Sequence, residues 1–214
     1  MTTRERQEAR ERIIQSAIRL FAKRGYSGVG VREIAAEAHV NIAMISYYYQ
    51  GKIGILAAIM ERFYEKYLPL FSHIHDEGLD PDEAVRLIFR NLVNFIRQNF
   101  ALAMVVYNEL PLDIPEIADI KARRLSELIE GLGGLVNRFH MNPEDKTRMG
   151  MIGPAVMGMV FTHFRVRPVL KMAFKQPLDD VYYEQLIETL SAVFLYGVHG
   201  FSEKRASRSG SGRV

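Results

Sequence analysis

Between residues 41 and 52 the chain brings together an amide (Asn41), a hydroxyl (Ser46), small or flexible apolar groups (Ala43, Met44), three successive tyrosines (Tyr47, Tyr48, Tyr49) and a cation (Lys52). Small, polar and aromatic side chains of this kind suit the floor of a DNA major groove, where base edges offer donors, acceptors and thymine methyls. The chemistry implied is recognition rather than bond-making.

Such side chains read DNA only if a helix presents them together. Val31, Ile34, Ala35 and Ala38 fall at i, i+3, i+4 and i+7, so one apolar stripe runs along a helix of about two turns, with Glu33 and Glu37 on its wet side. Val40 breaks that spacing, which ends the helix at His39. Asn41 is a favoured N-cap and starts a second helix at Ile42. The turn between them needs a residue at positive φ, where glycine is cheapest and histidine is among the few other types enriched. His39 is expected in that role. The second helix then buries Val40, Ile45 and Tyr49 and leaves Asn41, Ile42, Ala43, Met44, Ser46 and Tyr47 facing outward. A small helical hairpin inside an ordinary bundle would show the same spacing, but its flanks favour a DNA reader. Upstream, Ile13, Ile14, Ala17, Leu20 and Phe21 form the inner face of a longer helix that Gly25 caps, with Lys23 and Arg24 in its last turn. Downstream, Lys52 opens a helix whose Leu56, Ile59, Phe63 and Tyr67 face inward.

The run IIQSAIRLFAKRGYSGVGVREIAAEAHVNIAMISYYYQGKIGIL, Ile13 to Leu56, resembles the tetracycline-repressor (TetR) family of bacterial one-component transcription regulators. The matching positions are Ala17, Leu20, Phe21, Gly25, Tyr26, Val31, Ile34, Ala35, Ala38, Val40, the ISYYY edge and Lys52. The chain departs from the pattern at His39 (usually Gly), Val29 (usually Thr), Gly30 (commonly Ser or Thr), Tyr49 (usually Phe) and Ile53 (commonly Glu). Geometry and the resemblance together imply that Tyr48 and Lys52 contact phosphates and set the docking register. Arg32 is placed to reach a phosphate or a base edge, and Asn41, Ala43, Met44, Ser46 and Tyr47 are the candidates for base contact, Tyr47 first among them. Arg4, Arg6 and Arg10 form either an arm onto the adjacent backbone or a solvated helix end laced by i,i+4 Glu–Arg pairs.

Composition agrees. The 214 residues suffice for a head and a larger helical body. There is no cysteine, which excludes disulfides, thiolate metal sites and a cysteine nucleophile. Residues 1–52 hold nine Lys or Arg against five Asp or Glu, a net +4 that suits phosphate binding with salt-dependent affinity. The charged first twelve residues do not read as an export signal, and the longest uncharged apolar stretch, Met149 to Phe164, falls short of the roughly 20 residues that span a bilayer. A cytoplasmic protein without a membrane partner is expected.

Past residue 68 the pattern stays helical, with breaks expected at Pro69, Gly78 to Pro81, Pro111 to Pro115, Asn142 to Pro143, Pro168 and Gln176 to Pro177. Asp80 and Pro81 open one helix, carrying Val85, Ile88, Leu92, Phe95 and Ile96. Asp179 and Asp180 open another, as helix-dipole partners rather than as catalytic acids. Residues 202–214, rich in Ser, Gly and Arg, read as a disordered basic tail. No phosphate loop, serine elbow or His–Glu metal signature is present. His73, His75, Asp76 and Glu77 are the one metal-like cluster, and i,i+2 spacing on a helix points the two imidazoles apart. No catalytic residue, metal or cofactor is expected, and the protein is not expected to be an enzyme. Met104, Met149, Met151, Met157, Met159 and Met172 read mostly as core filling.

The expectation is thus an all-α chain: a three-helix helix-turn-helix head (1–52), a helical effector-binding and dimerisation body (53–201) and the tail. The resemblance implies a homodimer, paired through helices from Arg148–Phe164 and Val181–Val198, that binds a palindromic double-stranded DNA operator through residues 31–52. It also implies repression relieved by a small-molecule effector, with Tyr107, Phe139, His163, Phe164 and Arg167 on the segments where such a pocket is built. The alternative is a helical ligand-binding or interaction protein that no longer binds DNA specifically.

Overall fold

The computed structural model describes residues 2–71, 74, 78–139, 144–175 and 177–210; for Arg138, Lys146, Arg148, Met149 and 198–210 it describes the backbone only. All the regular structure among them is helical: α1 (Thr3–Arg24), α2 (Val31–Glu37), α3 (Ile42–Tyr49), α4 (Lys52–Tyr67), a short 3-10 turn (Leu68–Leu70), α5 (Pro81–Gln98), α6 (Phe100–Asn108), α7 (Pro115–Arg138), α8 (Lys146–Phe174) and α9 (Asp180–Gly210). The His73, His75, Asp76 and Glu77 cluster and the Asn142–Pro143 break lie outside the described residues. No group of three possible metal ligands occurs among the described ones.

The chain divides into two compact units, one formed by residues 1–67 and 98–126, the other by residues 68–97 and 127–214. The first therefore holds more than the stretch 1–52 expected as the head. Helices α4 and α6 pack against α1, and α4 also packs against α3. The reason is apolar surface. Ile13, Ala17 and Phe21 of α1, Ile55, Leu56, Ile59 and Met60 of α4 and Ala103 and Val105 of α6 have no measurable exposure, so three short helices alone would leave most of this core wet. In α6 five consecutive residues, Leu102 to Val106, are buried, as in a helix surrounded on all sides. Ion pairs bind the periphery, Arg62 to Glu11 at 2.8 Å between α4 and α1, and Arg123 and Arg124 to Glu61 between α7 and α4.

In the second unit Phe89, Leu92, Val93 and Ile96 of α5, Val160, Phe161 and Phe164 of α8 and Ile187 of α9 form the core. Asp80 caps α5 by accepting the Asp82 N–H at 2.8 Å. Asp179 accepts the Tyr182 N–H at 3.0 Å, and Asp180 pairs with Arg97 at 2.5 Å. The two acids thus serve the start of α9, as their position in the sequence implies.

Three expectations are corrected. Helix α8 runs through Pro168; proline loses its own N–H bond and crowds the carbonyl four residues back, a local cost that the long helix on both sides of it absorbs. Met151 and Met172 are 67% and 79% exposed rather than core filling, because the sequence shows an apolar residue without showing which face meets the protein. The stretch read as a tail from residue 202 is helical to Gly210, as the last part of α9.

His39 does adopt the left-handed conformation, at φ 52°. His39→Gly is expected to be neutral to stabilising, by up to about 1.5 kcal/mol. Glycine removes a Cβ penalty of about 1–2 kcal/mol and adds back about 0.5–1 kcal/mol of unfolded-state entropy. Urea denaturation of the two proteins decides it; a net loss of stability would mean that the imidazole makes a contact worth more than the strain.

Candidate nucleic-acid interface

Helix α2 starts without a side-chain cap, since Gly30 has none to offer, and Glu33 compensates by accepting the Gly30 N–H at 2.9 Å. That hydrogen bond, followed by one from Arg24 at 2.5 Å, holds the Glu33 carboxyl below the usual range. At the other end of α2, the Arg12 guanidinium donates to the Ala38 carbonyl at 3.1 Å and satisfies a terminal acceptor. Asn41 begins α3 by accepting the Ala43 N–H at 2.8 Å. The helix ends at Gln50 and Gly51, both at positive φ, and α4 follows at once.

This geometry sorts the α3 side chains as the 3.6-residue period requires. Ile45 is 1% exposed and Tyr49 8%, both against the head's core, while Tyr47 is 75% exposed on the opposite side and Ile42, one turn ahead of Ile45, is 42% exposed at the helix start. Asn41, Ala43 and Ser46 are exposed beside them, and Met44 is half-buried. Arg32 is exposed in the first turn of α2. Tyr48 is half-buried at the rim, its ring 5.0 Å from Tyr47. Lys52 is half-buried in the first turn of α4; burial lowers its pKa, with Glu33 opposing. Every residue expected to contact DNA therefore lies on α2, α3 or the start of α4, and Tyr49 falls inside.

Arg10 is the residue that sequence reading placed least well. It is not part of a detached arm. Its carbonyl accepts the Tyr49 hydroxyl at 3.0 Å and its guanidinium lies 5.9 Å from the ring centroids of both Tyr48 and Tyr49, so a cation sits at the exposed rim beside the expected phosphate contact. Arg4 pairs with Glu8 at 3.0 Å along α1, which fits the solvated-helix alternative.

The residues expected around an effector fall into two places. Tyr107 is half-buried on α6 in the first unit. In the second unit, Phe139 is buried at the end of α7, and three residues gather on α8 against the start of α9. There His163 shares a 2.8 Å hydrogen bond with Tyr182, Phe164 stacks on Tyr183 at 5.8 Å, and Arg167 donates to the Tyr183 hydroxyl at 3.3 Å. Burial lowers the His163 pKa, which favours the neutral ring.

An all-α chain whose short second helix, set across a tight turn, presents an exposed polar and aromatic face has the architecture of a helix-turn-helix protein. The family model described as bacterial regulatory proteins, tetR family, matches residues 13–59. Over 120 residues the chain is 34% identical to a probable HTH-type transcriptional regulator, YttP of Bacillus subtilis strain 168, covering 54% of this chain and 57% of that one. It is 30% identical over 141 residues to the HTH-type transcriptional regulator BetI of Brucella canis, covering 62% of this chain and 70% of that one. The matched stretch thus spans about half the length of YttP. A TetR-like transcriptional regulator from Rhodococcus sp. RHA1 superposes with a TM-score of 0.63 over 92% of this chain and 99% of its own, at 21% identity, which shows the shared fold. The chain belongs to the TetR family of bacterial regulatory proteins.

Proposed function

We propose that the protein is a homodimeric, sequence-specific DNA-binding transcriptional regulator. It acts as a repressor, releasing a palindromic operator when a small molecule enters the helical body. The observation that carries the DNA-binding reading is the exposed face of α3. Tyr47, 75% exposed, shares that face with the exposed Ala43 and Ser46, a mix of aromatic, small and hydroxyl groups that suits base edges in a major groove. In this reading Asn41, Ala43, Met44, Ser46 and Tyr47 meet base edges, Arg32 reaches a base or phosphate, and Tyr48 and Lys52 hold the backbone on either side. Family membership supports repression and the effector. The gathering of His163, Phe164 and Arg167 against Tyr182 and Tyr183 is the part of the body best equipped to meet a ligand with an aromatic or anionic portion. Dimerisation is supported by the large exposed apolar side chains on α8 and α9, among them Val169, Met172, Val193 and Tyr196. No helix among the described residues is long and apolar enough to cross a membrane, and a cytoplasmic location suits a DNA ligand.

Selection of bound duplexes from a random pool tests the reading, followed by affinity against salt. A palindromic consensus is expected. Lys52→Ala should weaken binding to all sequences alike and make the log–log salt slope shallower by about one. Tyr47→Ala should cost about 1–3 kcal/mol on the consensus and relax preference at one position of each half-site. Failure to enrich any sequence, with both variants indistinguishable from wild type, would leave the helix pair as scaffold.

A further inference from the structure

Lys52 does not stand alone on the first turn of α4. Its Nζ lies 4.1 Å from the centroid of the Tyr26 ring, well inside cation–π range. Tyr26 sits in the turn between α1 and α2 and packs its ring, at 5.4 Å between centroids, on the fully buried Phe21. The turn is held from behind as well. The Tyr26 N–H donates to Glu109 Oε2 at 3.2 Å, and Glu109 is the C-cap residue of α6, the helix wrapped in the core of the same unit.

Gly25 shows how close this grip is. A Cβ at residue 25 would stand 2.9 Å from the same Glu109 oxygen, and the backbone there has φ 76°, so both space and conformation select glycine. A lysine side chain is a point charge on a flexible four-carbon stem. Resting it over a fixed ring restricts where the ammonium goes and leaves N–H donors on the side away from the ring to meet a phosphate oxygen. The ring in turn is fixed by Phe21 beside it and by the Glu109 carboxylate behind its backbone.

We propose that Tyr26 is a positioning residue for the backbone contact made by Lys52, and that Glu109 holds Tyr26 in that position. The end of α6 is thereby joined to a DNA-facing cation through one hydrogen bond and one aromatic ring. The inference rests on the reading of Lys52 as a phosphate contact. Sequence alone gives no sign of it: Tyr26 and Lys52 both lie in the run that resembles the family, but nothing in that run pairs them, and Glu109 lies far outside it.

The test uses the full chain with Tyr26→Phe, Tyr26→Leu, Glu109→Gln, Glu109→Ala and Lys52→Ala, and two readouts. In the free protein, the ε-methylene proton shifts of Lys52 report the ring directly. They should be displaced upfield in the wild type, Tyr26→Phe and Glu109→Gln, ordinary in Tyr26→Leu and partly restored to ordinary values in Glu109→Ala. On the selected duplex, Tyr26→Leu and Glu109→Ala should each bind three- to tenfold more weakly and Tyr26→Phe and Glu109→Gln within twofold. Neither loss should appear when Lys52 is already alanine. Ordinary Lys52 shifts in the wild type overturn the proposal. So does a Tyr26→Leu or Glu109→Ala loss that persists undiminished in the Lys52→Ala background, which would mark a merely structural role. If Lys52→Ala leaves affinity and salt slope unchanged while the upfield shift is present, the phosphate reading of Lys52 has failed instead, and the proposal falls with it. Should Tyr26→Leu not fold, Glu109→Ala decides alone.

Discussion

Phe21→Ala is expected to lower the stability of the first unit by about 3–5 kcal/mol, the range for truncating a fully buried aromatic residue. Phe21 has no measurable exposure, and it lies where α1 meets the α1–α2 turn, with the Tyr26 ring against it. The loss has two sources, the transfer free energy of the missing ring and the void left by neighbours that relax only in part. A domain stable by about 5–15 kcal/mol loses about a fifth or more of its margin, so operator binding should also weaken as the unfolded head becomes populated. Urea denaturation checks it: the midpoint should fall with little change in slope. Lys23→Ala, exposed on the same helix, should stay within about 0.5 kcal/mol. A Phe21→Ala cost below about 1 kcal/mol would mean that the site collapses around the gap and is not the rigid junction described.

What could be read in the sequence was what local physics determines. The stripe at Val31, Ile34, Ala35 and Ala38 and the Asn41 cap locate α2 and α3, although α2 ends at Glu37, two residues before the expected stop at His39. The turn between them left His39 as the residue to take positive φ, which it does at 52°. The same period decided which α3 side chains face out. The partners of helices were not legible. α6 is apolar on every side, so it carries no stripe to say what it packs against, and its place beside α1 and α4 is set by long-range burial. Met151 and Met172 show the same limit from the other direction, since side-chain type does not reveal whether a face meets its own chain or something else. At the candidate site, the exposed position of Tyr47 on α3 and the position of Lys52 at the start of α4 were legible. Their supports were not: Arg10 reaches back to the Tyr48 and Tyr49 rings, and Glu109 reaches Tyr26 across 83 residues of chain.

Separating the subunits of the proposed homodimer is expected to lower affinity for the operator by about two to four orders of magnitude. On α9, Gln185, Thr189, Ala192, Val193 and Tyr196 fall on one face, and all are exposed, while Tyr183, Leu186, Ile187 and Leu190 are buried. On α8, Thr162, Val166, Val169, Met172 and Ala173 form a second exposed stripe. An apolar face of this extent on a folded unit costs solvation unless a copy covers it. In a two-fold interface each substituted position appears twice, so Val193→Asp with Tyr196→Asp would bury four carboxylates near one another. Both positions are largely exposed in the single chain, at 58% and 80%, so each unit should still fold, its unfolding midpoint lowered only by the stabilisation that dimer formation had contributed. Loss of the second head removes an effective concentration on the order of millimolar, which multiplies affinity by about 10² to 10⁴ when both half-sites, roughly 34 Å apart, are engaged. Sedimentation should show the variant as a monomer. Its affinity for an isolated half-site should match that of the wild type, and only the gain from adding the second half-site should vanish. A variant that remains dimeric would place the interface elsewhere. A monomer that binds the full palindrome as tightly as the wild type would show that one head suffices, and the two-fold reading of the operator would have to be abandoned.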